Sequence, residues 1–76
     1  MDNSEIGRWL VRRLVQAGGE DESKFVIRDA EEAGFSPSAT RRAWARFRAE
    51  GAGTTSLTGF GADKRAVWIY GEGRQS

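Results

Sequence analysis

The sequence has no cysteine and no histidine, and its 76 residues include a single proline. Without cysteine and histidine the chain can form no disulfide and no thiol nucleophile, and it lacks the usual ligands of zinc and the commonest general base. The carboxylates and hydroxyls that are present form no recognisable catalytic pair. We therefore expect neither an enzyme nor a protein with a metal or cofactor.

Long apolar segments are also absent from the sequence. The longest apolar run is AVWIY at residues 66–70, far short of the roughly 20 residues that a membrane-spanning helix needs. The first residues, MDNSEIGR, lack the basic start and the apolar centre of a signal peptide. These absences favour a soluble, cytoplasmic protein. Its length allows one domain with a small core and no deep pocket for a small-molecule substrate.

Apolar residues recur at helical spacing in three segments of the chain. The predicted helices cover residues 4–17, 24–33 and 36–50. Ser4, Ser23 and Ser36 stand where a hydroxyl can cap each helix start, and a glycine follows each helix. The acidic run EDE at residues 20–22 falls between the first two helices, so we expect it to form a loop.

The end of the chain has the composition of β-strands. Residues 54–60 and 66–70 are rich in β-branched and aromatic residues, and turn residues separate them, which predicts a two-stranded hairpin. Alternation along the second strand puts Val67 and Ile69 on one face, which we expect to be buried, and Trp68 on the other. The predicted core consists of Ile6, Leu10, Leu14, Val26, Ala30, Ala43, Phe47, Val67 and Ile69.

Residues 30–47 resemble a helix-turn-helix, and residues 4–70 together resemble a winged helix-turn-helix domain. In this resemblance the small Ala30 lies where the third helix crosses the second, Gly34 occupies the turn, and Phe35 fills the space between the two helices. The resemblance implies an α+β fold, in which a three-helix bundle is followed by a two-stranded β-hairpin wing. The expected division of the chain is a flexible start at residues 1–3, the domain at residues 4–70 and a flexible tail at residues 71–76.

The sequence of the third helix resembles a particular group of winged-helix domains. Thr40, Ala43 and Phe47 match the inward stripe of the family's recognition helix, although the family more often has an aliphatic residue where Thr40 stands. The run AGFSPSATRRAWARF, followed by a glycine-containing hairpin, is similar to winged-helix domains of phage and plasmid proteins and of their replication ATPases. This similarity implies DNA binding in replication, partition or transcriptional regulation.

Four arginines lie between residues 41 and 48, and no acidic residue follows them until Glu50. With Thr40 inward, the helical period turns most of these arginines outward, where a guanidinium group can read guanine in the major groove. Lys64 and Arg65, in the turn at residues 60–66, fit the wing of the resembled family. The predicted DNA-binding residues are Ser36, Ser38, Arg41, Arg42, Ala45, Arg46, Arg48, Lys64 and Arg65.

The formal net charge of +1 hides an uneven distribution of charge along the chain. Residues 1–35 contain five basic and eight acidic side chains, whereas residues 36–76 contain seven basic and three acidic ones. The first part therefore has a net charge of −3 and the second a net charge of +4. The basic part, made of the third helix and the hairpin, is suited to face the phosphates of double-stranded DNA.

An alternative function is a winged helix that contacts another protein in a replication or regulatory assembly. The acidic run at residues 20–22, or exposed tryptophans, would then form the interface. Trp9, Trp44 and Trp68 come from three different predicted elements, which favours a shared core. Trp44 lies beside the inward stripe and is the tryptophan that an interface could use. Self-association on DNA is compatible with either function.

Overall fold

The computed structural model describes residues 4–59 and 61–71. Within them the chain folds as an α+β protein with three α-helices and a three-stranded antiparallel sheet. The elements are α1 (Glu5–Gln16), β1 (Glu20–Glu22), α2 (Ser23–Glu32), α3 (Pro37–Ala49), β2 (Gly53–Thr58) and β3 (Arg65–Tyr70), with a 3-10 turn at Gly61–Asp63. None of these helices has the length and apolarity to cross a membrane. The expected flexible ends lie, except for Gly71, outside the described residues.

Serine hydroxyls cap two of these three helices, as the sequence predicts. Ser4 and Ser36 each accept a hydrogen bond of 3.1 Å from the backbone N–H three residues later. The predicted cap Ser23 is wrong, because α2 already includes Ser23 and its N-cap is Glu22, whose side chain makes no capping bond. Pairing of β1 with β3 keeps the backbone extended as far as Glu22, so the helical geometry begins at the next residue.

The turn between α2 and α3 is tight because the backbone reverses at Gly34, which has a φ of 101°. Glycine adopts this left-handed conformation without the steric cost that a Cβ brings. The backbone N–H of Phe35 donates to the carbonyl of Ala30 at 2.9 Å and closes the end of α2. The Phe35 ring then packs against Trp9 of α1, with 5.9 Å between ring centroids. The predicted end of the second helix at Gly34 is confirmed.

The three strands form one antiparallel sheet in the order β1-β3-β2. The central strand β3 pairs Ile69 with Glu20 of β1 on one side and with Thr54 of β2 on the other. The expected loop at residues 20–22 is therefore wrong, and the predicted two-stranded hairpin is part of a larger sheet. A strand is held by backbone hydrogen bonds, and acidic side chains at a sheet edge do not prevent them, so composition alone misses β1.

The core lies between the helices and one face of the sheet. Its buried apolar residues are Leu10, Leu14, Val26, Ala30, Ala43, Trp44, Phe47, Ala52 and Trp68. The core predictions for the helices are confirmed except for Ile6, which is half-buried against the cluster. The predictions for Val67 and Ile69 are wrong, because Trp68 faces the helices and these two residues are half-buried on the outer face. Alternation defines two faces of a strand without saying which is inward.

Trp44 of α3 stacks on Trp68 of β3, with 4.9 Å between ring centroids and an angle of 9° between the rings. Trp44 is 2% exposed, and its Nε1 donates to Oγ1 of Thr55 in β2 at 3.0 Å, so the polar atom of the buried ring is satisfied. Gly53 provides space for this ring, since a Cβ there would lie 2.5 Å from Cη2 of Trp44. The stack holds α3 against both strands of the hairpin. The alternative of an exposed Trp44 is wrong.

A group of three charged side chains joins α1, β1 and α2. Nη2 of Arg13 lies 2.8 Å from Oδ2 of Asp21, and Nε of Arg13 lies 2.8 Å from Oδ2 of Asp29. Partial burial disfavours the charged form of Arg13, but the hydrogen bonds and charges of the two carboxylates outweigh this effect and raise its pKa. The hydrogen bond from Arg13 holds the pKa of Asp29 below its ordinary value.

Replacing Asp29 by asparagine tests this group through its pH dependence. Because the folded-state pKa of Asp29 is lowered, its carboxylate stabilises the fold above the ordinary pKa, and this contribution is lost as the pH falls through the folded-state pKa. We expect Asp29→Asn to be less stable than the parent at neutral pH, with the difference shrinking below about pH 4. Urea unfolding followed by tryptophan fluorescence measures it. Glu31→Gln, exposed on the same helix, is the control, and a difference that stays constant with pH would contradict the assignment.

Replacing Gly53 by alanine tests the packing of the tryptophan stack. The added Cβ would lie 2.5 Å from Cη2 and 2.9 Å from Cζ2 of Trp44, and the ring cannot retreat because Trp68 lies on it. Overpacking of this kind costs about 1–3 kcal/mol, so we expect the free energy of unfolding to fall by that amount. Thr54→Ala, at the exposed neighbouring position, should change it by less than about 0.5 kcal/mol. Equal stability of the two variants would contradict the prediction.

Candidate nucleic-acid interface

The helix α3 buries one face and exposes all of its arginines. Its buried residues are Thr40, Ala43, Trp44 and Phe47. The Thr40 hydroxyl donates to the carbonyl of Ser36 at 2.8 Å, so a polar side chain fits a fully buried position without an unsatisfied hydrogen-bonding group. The predicted binding residues of this segment are exposed: Ser36, Ser38, Arg41, Arg42, Ala45, Arg46 and Arg48.

The exposed residues of α3 fall into two stripes. Arg41, Ala45 and Arg48 are spaced at i, i+4 and i+7, and they line a groove between α3, the start of α2 and the sheet. Arg42 and Arg46 are four residues apart on the other flank of the exposed face. The structure therefore divides the predicted residues into one set that faces the groove and one that faces away from it.

The groove beside α3 has a volume of about 360 Å³. Its lining residues are Ser23, Lys24, Ile27, Arg41, Trp44, Ala45, Arg48, Thr55 and Trp68. The apolar part of this lining comes from Ile27, Ala45 and the two stacked tryptophans. The charged groups of the lining are all cationic, since they belong to Lys24, Arg41 and Arg48. Such a groove attracts an anionic surface.

A second hollow continues the groove toward the hairpin turn. It has a volume of about 190 Å³ and is lined by Glu22, Ser23, Lys24, Lys64, Arg65 and Ala66. Ser23 and Lys24 line both hollows, so the first turn of α2 links α3 to the hairpin. The two exposed cations of the hairpin thus lie on the same side of the molecule as two arginines of α3. We call Lys24, Arg41, Arg48, Lys64 and Arg65 the basic surface.

Lys24 is the member of the basic surface that the sequence does not indicate. A lysine after an acidic run is typical of ordinary solvated surface. The register of β1 on β3, which pairs Glu22 with Val67, carries the start of α2 to the hairpin. Nζ of Lys24 lies 3.9 Å from Oε1 of Glu22 and 5.2 Å from the centre of the Phe25 ring. This oxygen of Glu22 is buried and accepts no hydrogen bond among the described residues.

The start of α2 adds a second source of positive potential. Since the Glu22 side chain makes no capping bond, the backbone N–H groups of the first turn receive no side-chain acceptor from the N-cap residue. The positive end of the helix dipole points the same way as these N–H groups. The carboxylate of Glu22 lies at the same helix start and offsets part of this positive potential.

The geometry described above is that of a surface able to hold a polyanion, with cations from one helix face, a helix start and a hairpin. The residues that carry it are spread over the chain from Lys24 to Arg65. The chain matches no protein-family model, no curated protein and no solved structure.

Proposed function

We propose that this chain is a winged helix-turn-helix module that binds double-stranded DNA, with α3 in the major groove and the turn between β2 and β3 as a basic wing. The element order along the chain and the strand order β1-β3-β2 are compatible with that layout. On the resemblance of the run AGFSPSATRRAWARF to winged-helix domains of phage and plasmid proteins, we propose a role in replication, partition or transcriptional regulation.

The observation that carries the proposal is the basic surface, whose cations come from α2, α3 and the hairpin and lie along two linked hollows. Cations from several elements can contact several phosphates of a duplex, and neutralising those phosphates releases condensed counterions. The helix α3 has 13 residues, or about 20 Å of length, and the major groove admits an α-helix. Arg42, on the outward flank of α3, is then free to reach a base edge.

The alternative of a protein-contact module has less support. Trp44 and Trp68 are 2% and 5% exposed, so neither offers the large aromatic surface that anchors most protein interfaces. The acidic run is a paired strand, and its Asp21 is engaged with Arg13. The acidic run and these two tryptophans therefore offer little surface to a protein partner.

Salt dependence distinguishes the two functions. Affinity of the whole chain for a fluorescently labelled duplex is measured by anisotropy at increasing salt concentration. A duplex binder loses affinity linearly on logarithmic axes, with a slope of about −0.9 for each phosphate that is neutralised. Weak binding that hardly changes with salt would contradict DNA binding.

Replacing the hairpin cations tests the wing. We expect Lys64→Ala and Arg65→Ala each to weaken binding to all duplexes alike and to reduce the magnitude of the salt slope by about 1, because each loses one phosphate contact. Arg12→Ala removes the same charge from the exposed face of α1 and should leave the slope unchanged. A double variant of Lys64 and Arg65 with the parent affinity and slope would mean that the hairpin makes no contact with DNA.

Replacing the arginines of α3 tests sequence reading. If α3 enters the major groove, Arg41 or Arg42 contacts a base edge, and the alanine variant of that residue should lose about 1–3 kcal/mol of binding free energy at a preferred site. Preference should relax at one or two base pairs, as measured by selection from a randomised duplex pool. Fold stability should barely change because both side chains are exposed. If both variants keep the parent affinity and preference, α3 is not the reading element.

A further inference from the structure

The two edges of the sheet differ in how they are protected from other strands. The edge strand β1 has three residues, and all three carry carboxylates. Short length and charge are the usual means by which a sheet edge avoids pairing with another chain. The opposite edge strand β2 has six residues, GTTSLT, with no charge and no proline. Within this sheet, therefore, one edge is protected, whereas no strand of residues 4–59 and 61–71 pairs with the outer side of β2.

The backbone groups that β2 presents at its open edge follow from the register of the hairpin. The backbone N–H of Gly71 donates to the carbonyl of Ala52 at 2.9 Å, and the next pair inward is Gly53 with Tyr70. In an antiparallel ladder, hydrogen-bonded and non-hydrogen-bonded pairs alternate. The N–H and C=O groups of Thr55 and Leu57 therefore point away from β3, at the edge of the sheet. Two donors and two acceptors lie there in the spacing that an antiparallel strand requires.

Leu57 gives this edge an apolar anchor. It is 68% exposed, and in the described part of the chain Val15 of α1 is the other large apolar side chain with high exposure, at 58%. Leu57 lies on the same face of β2 as Thr55, whose hydroxyl accepts the hydrogen bond from Trp44. A strand added beside β2 would cover Leu57 and satisfy the backbone groups of Thr55 and Leu57 together.

We propose that β2 pairs with β2 of a second copy of this chain, antiparallel and centred on Ser56, to form a continuous six-stranded sheet. In this register Thr55 exchanges two backbone hydrogen bonds with Leu57 of the partner subunit, and the two-fold axis repeats them for the other pair. The axis is perpendicular to the sheet, so both α3 helices and both basic surfaces lie on the same side of it.

A second copy fits this edge better than a charged partner because the strand is self-complementary. An isologous contact brings the two copies of β2 side by side, so a charge near the axis would be repelled by the same charge of the partner subunit. The strand has none. Each Leu57 side chain is covered by the partner's Thr55, and the partner's Leu57 is covered in return. The pairing uses backbone groups and neutral side chains, so it does not depend on DNA binding.

The association state of the chain in the absence of DNA tests the proposal. Sedimentation equilibrium up to millimolar concentration should show a species of twice the chain mass of 8.4 kDa. Leu57→Lys places two like charges on the same face of the sheet, one on each side of the axis, and it removes the apolar anchor, so it should raise the dissociation constant of the dimer about tenfold or more. Val15→Lys is the matched control, since it changes the other exposed apolar residue, and it should leave the constant unchanged. Near-ultraviolet circular dichroism of the tryptophan stack verifies that both variants fold.

Cross-linking tests the register. The parent has no cysteine, so Ser56→Cys introduces a single thiol that faces its own copy at a non-hydrogen-bonded pair, where the Cα atoms are about 4.5 Å apart and a disulfide can form. Under mild oxidation this variant should form covalent dimers, whereas Thr54→Cys, which faces the partner's Thr58, should form few. A parent that stays monomeric, a Leu57→Lys variant that associates like the parent, or equal cross-linking at both positions would overturn the proposal. None of these results bears on DNA binding.

Discussion

The stack of Trp44 on Trp68 is the contact on which the position of α3 depends. It joins the middle of that helix to the central strand, and the bond from Trp44 Nε1 to Thr55 extends the attachment to β2. Arg41 and Arg48 lie about one turn before and one turn after Trp44, so the stack also decides where their side chains enter the groove. The core and the basic surface are therefore not independent, because a shift of the ring moves the cations that flank it.

Pairing of charges separates the acidic and basic parts of the molecule. Arg13 of α1 forms salt bridges with Asp21 of β1 and Asp29 of α2. Two acidic groups of the first half are thus engaged with one cation within the fold, and β1 is held in place by side chains as well as by its short ladder. The basic surface draws its cations from α2, α3 and the hairpin instead, and its Lys24 also contacts Glu22. The small net charge of the chain is compatible with a polyanion-binding face for this reason.

Each of the three strands contributes different residues to the rest of the structure. β3 provides the inner ring of Trp68, and β1 provides Asp21 for the ion-pair group. β2 provides a glycine for close packing and an uncharged outer edge. The same alternation of side chains that buries Trp68 turns Val67 and Ile69 outward, where they are half-buried among their neighbours. A strand with apolar residues on both faces is stable in either orientation, and the large stacking surface of two tryptophans outweighs the smaller aliphatic pair.

The sequence by itself determined the helices, because caps, glycine stops and apolar spacing are local signals that act within one turn. It also determined the exposed face of α3, since the period of the helix and the inward stripe that includes Ala43 and Phe47 leave one side for the arginines. Only the tertiary structure decided that residues 20–22 are a strand, that Val67 and Ile69 face away from the helices and that Lys24 lies beside the hairpin cations. These features depend on pairing between segments about fifty residues apart, or on which face of β3 packs against the helices. The composition of a single segment determines neither the pairing nor the choice of face.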